Sequence, residues 1–181
     1  TLPVNTVTLN GSGNDSDGTI ASYLWTKVSG PSSFNIVNPN SAKTDVNGLV
    51  SGIYQFQLTV TDDKGATGTA FVQVTVNVAP NKIPTANAGA DQTITLPMDS
   101  VYLKGSGNDS DGTIVSYKWT KINGPSSFII TNPASSGTGV TGLVQGVYEF
   151  ELTVTDDKGA TATDNVKITV NAAQNQTPQA N

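Results

Sequence analysis

Two short acidic runs are the only residues in this chain whose types and spacing suggest chemistry. Asp15-Ser16-Asp17-Gly18 is followed far downstream by Asp62-Asp63, and the pattern returns letter for letter as Asp109-Ser110-Asp111-Gly112 with Asp156-Asp157. The 181 residues include no Cys and no His, so there is no thiol nucleophile, no imidazole base and no zinc site of the usual ligand set. What is left is oxygen. Carboxylates, Asn side chains and backbone carbonyls suit calcium, which takes about six to eight such ligands. The same letters also spell turns, because Asp and Asn before Gly bond their own backbone. Asp15-Ser16-Asp17-Gly18 lacks the third acidic position and the distal Glu of an EF-hand loop. Spacing alone leaves calcium and turn chemistry both open.

Charge narrows the partners. The nine basic residues are all Lys, against fourteen Asp and Glu, for a net charge of -5. An acidic chain without Arg lacks the clustered basic side chains that phosphates attract, so nucleic acid is excluded. Only 13% of residues are charged, well below the usual ~25%, so Thr, Ser, Asn and Gly must cover the surface. No apolar run approaches the roughly 18 residues of a membrane helix, and no membrane contact is expected. The absence of Cys suits a reducing compartment and equally a Cys-free secreted repeat protein. Composition leaves the compartment open.

The elements that must position the acids come in duplicate. Leu2-Pro3 returns as Leu96-Pro97, Gly11–Ile20 as Gly105–Ile114, Trp25 as Trp119 and Thr59–Thr67 as Thr153–Thr161, always at one offset and without gaps. This is tandem duplication of a whole domain. The expected organisation is domain 1 over residues 1–80, domain 2 over 81–173, and 174–181 as a linker towards a further repeat. The run Pro84–Ile94 (PTANAGADQTI) leads into the second copy, and Asn175–Asn181 resembles Asn81–Asn87. The frame therefore reads as an excerpt, with a further copy expected on each side.

Inside each copy the hydrophobic period is two, the signature of strands. Tyr54, Phe56, Leu58 and Val60 alternate with Gln55, Gln57, Thr59 and Thr61; Tyr148, Phe150, Leu152 and Val154 do the same. Val72, Val74 and Val76 mark the next strand, as do Val166, Ile168 and Val170. Val7 with Leu9, and Val101 with Leu103, mark an earlier strand ending at a Gly-Ser-Gly turn. Ile20–Val28 carries Tyr23 and Trp25 on one face. The Asp62–Gly65 run fits a tight hairpin with Gly left-handed. Short strands between Gly, Asn and Pro clusters predict an all-β fold: two tandem Ig-like antiparallel β-sandwiches arranged head to tail. One Trp on a central strand reads as core, and Tyr54 and Tyr148 fit tyrosine corners.

The order GSGNDSDGTI-x-SY-x-W, then GLV-x-G-x-Y-x-F-x-LTVTDDKGAT, then a Val-rich last strand, resembles the PKD (polycystic-kidney-disease) family over essentially the whole of both copies. Many members follow the Trp with Asp-Phe-Gly-Asp-Gly, whereas Trp25 and Trp119 precede TKVSGPSSF and TKINGPSSF. That departure resembles the variant in tandem arrays of bacterial secreted or surface proteins. The resemblance implies a secreted or cell-surface location, head-to-tail arrays, and spacer or auxiliary duty beside hydrolases, proteases or adhesins.

In an Ig-like sandwich the acidic loops share one end of the domain, so Asp109, Asp111 and Asp156 should converge beside Asn81 and Lys82. Crowded carboxylates repel one another unless a cation neutralises them. The resemblance implies calcium there, held by Asp109, Asp111 and Asp156 with the Asn81 side chain and the Lys82 carbonyl; in domain 1 it implies Asp15, Asp17 and Asp62. Asp63 and Asp157 read as turn residues facing solvent. The function expected is a non-catalytic spacer with a calcium-stiffened joint, partnered by neighbouring domains of its own chain and monomeric. The alternative is a carbohydrate-binding or adhesive module that meets polysaccharide or protein at a cell surface. Exposed Phe71 or Tyr102 would serve it, although Phe71 aligns with Asn165 and no aromatic stripe repeats. Catalysis would need two carboxylates flanking a cleft, which a closed sandwich does not offer.

Overall fold

A computed structural model of the chain describes residues 1–175. It divides into two compact units, Thr1–Pro80 and Asn81–Asn181, called domains 1 and 2. The expected linker from residue 174 onward lies mostly outside the described residues. Every described element is a strand.

Domain 1 contains β1 (Val7–Asn10), β2 (Ile20–Ser29), β3 (Asn35–Ile36), β4 (Lys43–Asn47), β5 (Gly52–Asp62) and β6 (Thr67–Val76). The alternating residues of β5 send Tyr54, Phe56 and Leu58 inward, where β-branched and aromatic neighbours pack well on a pleated surface. One antiparallel sheet runs β2-β5-β6 and the other β1-β4-β3. The register sets Trp25 opposite Leu58 and Phe56 opposite Val72. Leu9, Val46 and Leu49 complete the core from the second sheet side. Tyr54 Oη accepts from Val50 N at 3.0 Å and donates to Ser33 O at 2.9 Å, the bonding of a tyrosine corner.

Domain 2 repeats this plan with β9 (Val101–Lys104), β11 (Ile114–Asn123), β12 (Ile129–Ile130), β13 (Gly137–Thr141), β14 (Gly146–Asp156) and β15 (Thr161–Asn171). Its lead-in adds β7 (Thr85–Asn87) and β8 (Gln92–Thr95), and a short β10 (Ser106–Asn108) forms against β7. Here the structure departs from expectation. The Gly-Ser-Gly stretch ends the preceding strand as a turn in the sequence reading, yet Ser106–Asn108 is extended in domain 2, because Thr85–Asn87 offers it a backbone partner. The equivalent Ser12–Asn14 is not a strand in domain 1. β8 adds a parallel edge to the large sheet, which becomes β11-β14-β15-β8, with Ile168 opposite Gln92 and Asn171 opposite Thr95.

The lead-in changes the core. Val154, Val166 and Ile168 are at most 1% exposed, whereas their counterparts Val60, Val72 and Val74 are only half-buried. Ala88, just after β7, is buried within the domain 2 core.

Candidate functional site

The last hairpin of each domain is capped by the first Asp of Asp-Asp-Lys-Gly. In domain 2 the Asp156 carboxylate accepts from Lys158 N at 2.9 Å and Ala160 N at 2.8 Å, closing the turn in which Gly159 takes φ +89°. In domain 1 Asp62 accepts from Lys64 N and Ala66 N, both at 2.8 Å. One reason for an Asp here is therefore turn chemistry. Asp156 is 1% exposed and Asp62 half-buried.

The second Asp reaches sideways. Asp157 Oδ1 accepts from Thr113 N at 3.1 Å while Asp157 N donates to Thr113 O at 2.9 Å. Asp63 and Thr19 form the same pair at 3.1 and 3.0 Å. These residues are exposed, as the sequence suggests, but their carboxylates stitch the hairpin to the Asp-Ser-Asp-Gly loop rather than pointing freely into solvent. Gly112 is what lets them close in: a Cβ there would collide with Asp157 Oδ1 and Asp109 Oδ2. Gly18 stands in the same relation to Asp63 and Asp15.

The third tie is an ion pair that the sequence reading missed. Lys158 Nζ donates to Asp111 Oδ2 and Asp111 O, each at 2.8 Å, and Lys64 binds Asp17 Oδ2 at 2.6 Å and its carbonyl at 2.8 Å. The ammonium neutralises a carboxylate that sequence reasoning assigned to a metal. The signal was present: Lys follows Asp-Asp in both copies.

Domain 2 ties in its connector. Asn81 Nδ2 donates to Asp156 Oδ2 at 2.8 Å, and Lys82 N donates to Asp111 Oδ1 at 3.2 Å. Lys82 thus engages the acidic loop through its N–H. Asp109 and Asp15 sit in their loops with Oδ1 accepting from Asp111 N and Asp17 N. Their Oδ2 atoms are buried without a partner. Among the described residues, no three acidic side chains form a group that could hold a metal ion by themselves.

The electrostatics follow these contacts. The Lys158 ammonium holds Asp111 below the usual carboxylate range, and Lys64 does so for Asp17. Burial pushes Asp156 up, but the Asn81 amide and the N–H groups of Ala160, Lys158 and Gly159 outweigh it, leaving Asp156 lowered. Asp111 in turn raises Lys158, against a smaller opposing effect of burial.

The aromatic residues that the sequence singles out divide between core and surface. Trp25 and Trp119 are core, 5% and 2% exposed. Phe71 and Tyr102 are exposed, and align with Asn165 and Thr8 in the opposite copy.

The chain is similar to known proteins. A family model described as "K319L-like, PKD domain" matches residues 1–76 and 88–170. The chain is 38% identical over 182 residues to the mouse dyslexia-associated protein KIAA0319 homolog, covering 99% of this chain and 17% of that protein. It is 35% identical over 158 residues to the pre-pro-metalloprotease PrtV of Vibrio cholerae, covering 86% of this chain and 15% of that one. The solution structure of the PKD domain from KIAA 1837 protein is 35% identical, covers 57% of this chain and 100% of its own, and has a TM-score of 0.48. The chain spans about one-sixth of the length of the first of these relatives, and the likeness extends to mammalian as well as bacterial proteins.

Proposed function

Because the chain belongs to the PKD domain family, we propose that it is a pair of non-catalytic spacer modules in a longer secreted or cell-surface protein, the second of which fastens its own connector. The observation that carries this reading is the pair of bonds from Asn81 to Asp156 and from Lys82 to Asp111. At the other end of the connector, Asn77 O accepts from Leu2 N inside domain 1. Only Val78, Ala79 and Pro80 then lie between bonded residues. A connector bonded at both ends is the feature that supports the spacer reading.

A calcium ion would add to this fastening. Two features support its fit: the buried, unpartnered Asp109 Oδ2, and the cleft over Gly112 that a Cβ would fill, lined by Asp109 and Asp157 carboxylate oxygens. Asp109, Asp111 and Asp156 would hold the ion together with the Asn81 side chain and the Lys82 carbonyl; Asp15, Asp17 and Asp62 are the counterparts. Its chemistry would be charge neutralisation by oxygen ligands. Lys158 and Lys64 compete for that task.

The spacer reading is tested by backbone relaxation. Asn81 and Lys82 should be as rigid as the strands of domain 2, with order parameters near ~0.85, and Asn81→Ala should release them. Equal mobility in both proteins would refute the fastening. Calorimetric titration of calcium into the full chain should give heat that Asp109→Asn with Asp15→Asn removes. No heat, with a melting curve indifferent to chelator, would leave Lys158 and Lys64 as the neutralising charges and remove calcium from the account.

A further inference from the structure

Two glycines stand within β13, a strand of only five residues. Thr138 and Val140 face the core, and Gly137 and Gly139 lie on the outer face between them. Neither glycine takes a positive φ, so backbone conformation does not call for glycine there. Glycine inside a strand weakens it and marks a place where another group approaches the backbone closely. Over Gly137 that group is Tyr102: a Cβ there would come within 2.6 Å of Tyr102 Oη and 3.1 Å of two ring carbons. Tyr102 sits on β9 in register with Gly139, and its ring therefore lies down across β13 instead of standing off the sheet. It is still 56% exposed, so one side of the ring stays open. Over Gly139 a Cβ would meet only Thr131 Oγ1 among the described residues, at 3.2 Å, which leaves a hollow beside the ring.

Domain 1 shows that the sandwich does not require this arrangement. At the matching positions it has Thr8 for Tyr102, Asn10 for Lys104, Lys43 for Gly137 and Asp45 for Gly139, and Thr8 Oγ1 donates to the Asp45 carboxylate. The two copies thus differ in a group of neighbours, and the change clears the sheet surface while adding an aromatic ring. Polar groups around that ring are set by the loop before β8. Gly89 brings the loop against β9, where a Cβ would lie 2.9 Å from Lys104 O. Gln92 Nε2 donates to Tyr102 O at 2.9 Å, leaving its Oε1 as an acceptor. Asp91, Gln92, Lys104 and Tyr102 line one cavity of about 250 Å³. Among the described residues Lys104 has no ion-pair partner, so its ammonium remains a donor.

We propose that Tyr102 and this cavity bind a hexopyranose unit of a polysaccharide. The C–H face of such a sugar packs on the open side of the ring, and its hydroxyls accept from Lys104 and donate to Gln92 Oε1 and Asp91. The hollow over Gly139 gives the sugar room beside the ring. The cavity falls just below the roughly 300 Å³ at which pockets for larger ligands begin, which suits a single sugar ring. A protein partner would need about 800 Å² of complementary surface, whereas this cavity offers one ring among polar and small side chains. The site uses none of the acidic-loop residues and does not rest on the spacer reading.

The test titrates the full chain with cellohexaose, laminarihexaose and hexameric polygalacturonate, the last separating acidic from neutral sugars, and follows amide NMR. At least one of the three should give saturable shifts at Tyr102, Lys104, Gly137 and Gly139, with saturation transfer from the protein to sugar C–H protons. Tyr102→Ala should weaken that binding by about tenfold. Tyr102→Thr combined with Gly139→Asp restores the pairing of domain 1, and should abolish binding while leaving the melting temperature in place. This control separates loss of the ring from loss of the fold. The proposal is overturned by no saturable shift with any of the three sugars, by shifts confined to another surface, or by equal binding of Tyr102→Ala. Shifts at these residues on concentrating the chain alone would mark a protein contact and overturn it as well.

Discussion

Domains 1 and 2 share their centre and differ at one edge. The Trp, the tyrosine corner and the stacked Tyr-Phe pair are alike in both: Tyr54 and Phe56 lie 6.1 Å apart at 3°, Tyr148 and Phe150 6.1 Å apart at 5°. Away from the centre, Val60, Val72 and Val74 are half-buried where Val154, Val166 and Ile168 are closed off, and Asp62 is more open than Asp156. One cause accounts for all of these. Residues 84–95 of domain 2 cover the sheet edge, and residues 81 and 82 reach the acidic loops. A β-sandwich of this kind is thus held by its centre but finished by its lead-in.

The comparison breaks most severely if the cover is spoiled. Ile94→Asp places a charge against the core of domain 2 and should cost that domain about 2–4 kcal/mol, leaving domain 1 unaffected. Two-transition thermal unfolding checks this. Removing a feature common to both should act evenly. Tyr54→Phe and Tyr148→Phe each leave buried backbone groups unpaired, for about 1–3 kcal/mol, and a clear inequality between them would contradict the shared centre. Asp156→Ala should lower the melting of domain 2 by more than Asp62→Ala lowers domain 1, since only Asp156 also holds Asn81.

The smallest effect is with pH. Asp111, Asp156 and Asp17 are held below the ordinary range, so their stabilising contribution is present above an unfolded value of about 3.9 and is lost as pH falls through the folded values. Lys158 is raised, so its contribution is complete below about 10.4 and disappears only as pH rises through its folded value. Melting curves from neutral to strongly acid pH should therefore converge for the two domains as domain 2 loses its connector bonds.

Much of this was legible in the sequence, and the rest was not for physical reasons. Period-two alternation at Tyr54–Val60 and Tyr148–Val154 marks the strands because one face must be buried. The repeat at a single offset predicts the span of the duplicated unit. The convergence of Asp111 and Asp156 on Lys82 and Asn81 followed from which loops share an end of the sandwich. The partners of the acids were harder. Whether Lys158 swings to Asp111, whether Asp157 bonds Thr113, and whether the Lys82 N–H meets Asp111 depend on rotamers and peptide orientation that spacing does not encode. The strand character of Ser106–Asn108 was hidden by its glycine, since a Gly-Ser-Gly run is extended only where a partner is at hand.

The most direct test of the lead-in's role is hydrogen exchange at one pair of identical residues in one molecule. Thr169 pairs with Thr93 of β8, while Thr75 holds the same place on β6, which ends its sheet. Exchange of Thr169 should be slower than that of Thr75 by about a hundredfold or more. Equal protection at the two edges would contradict the account.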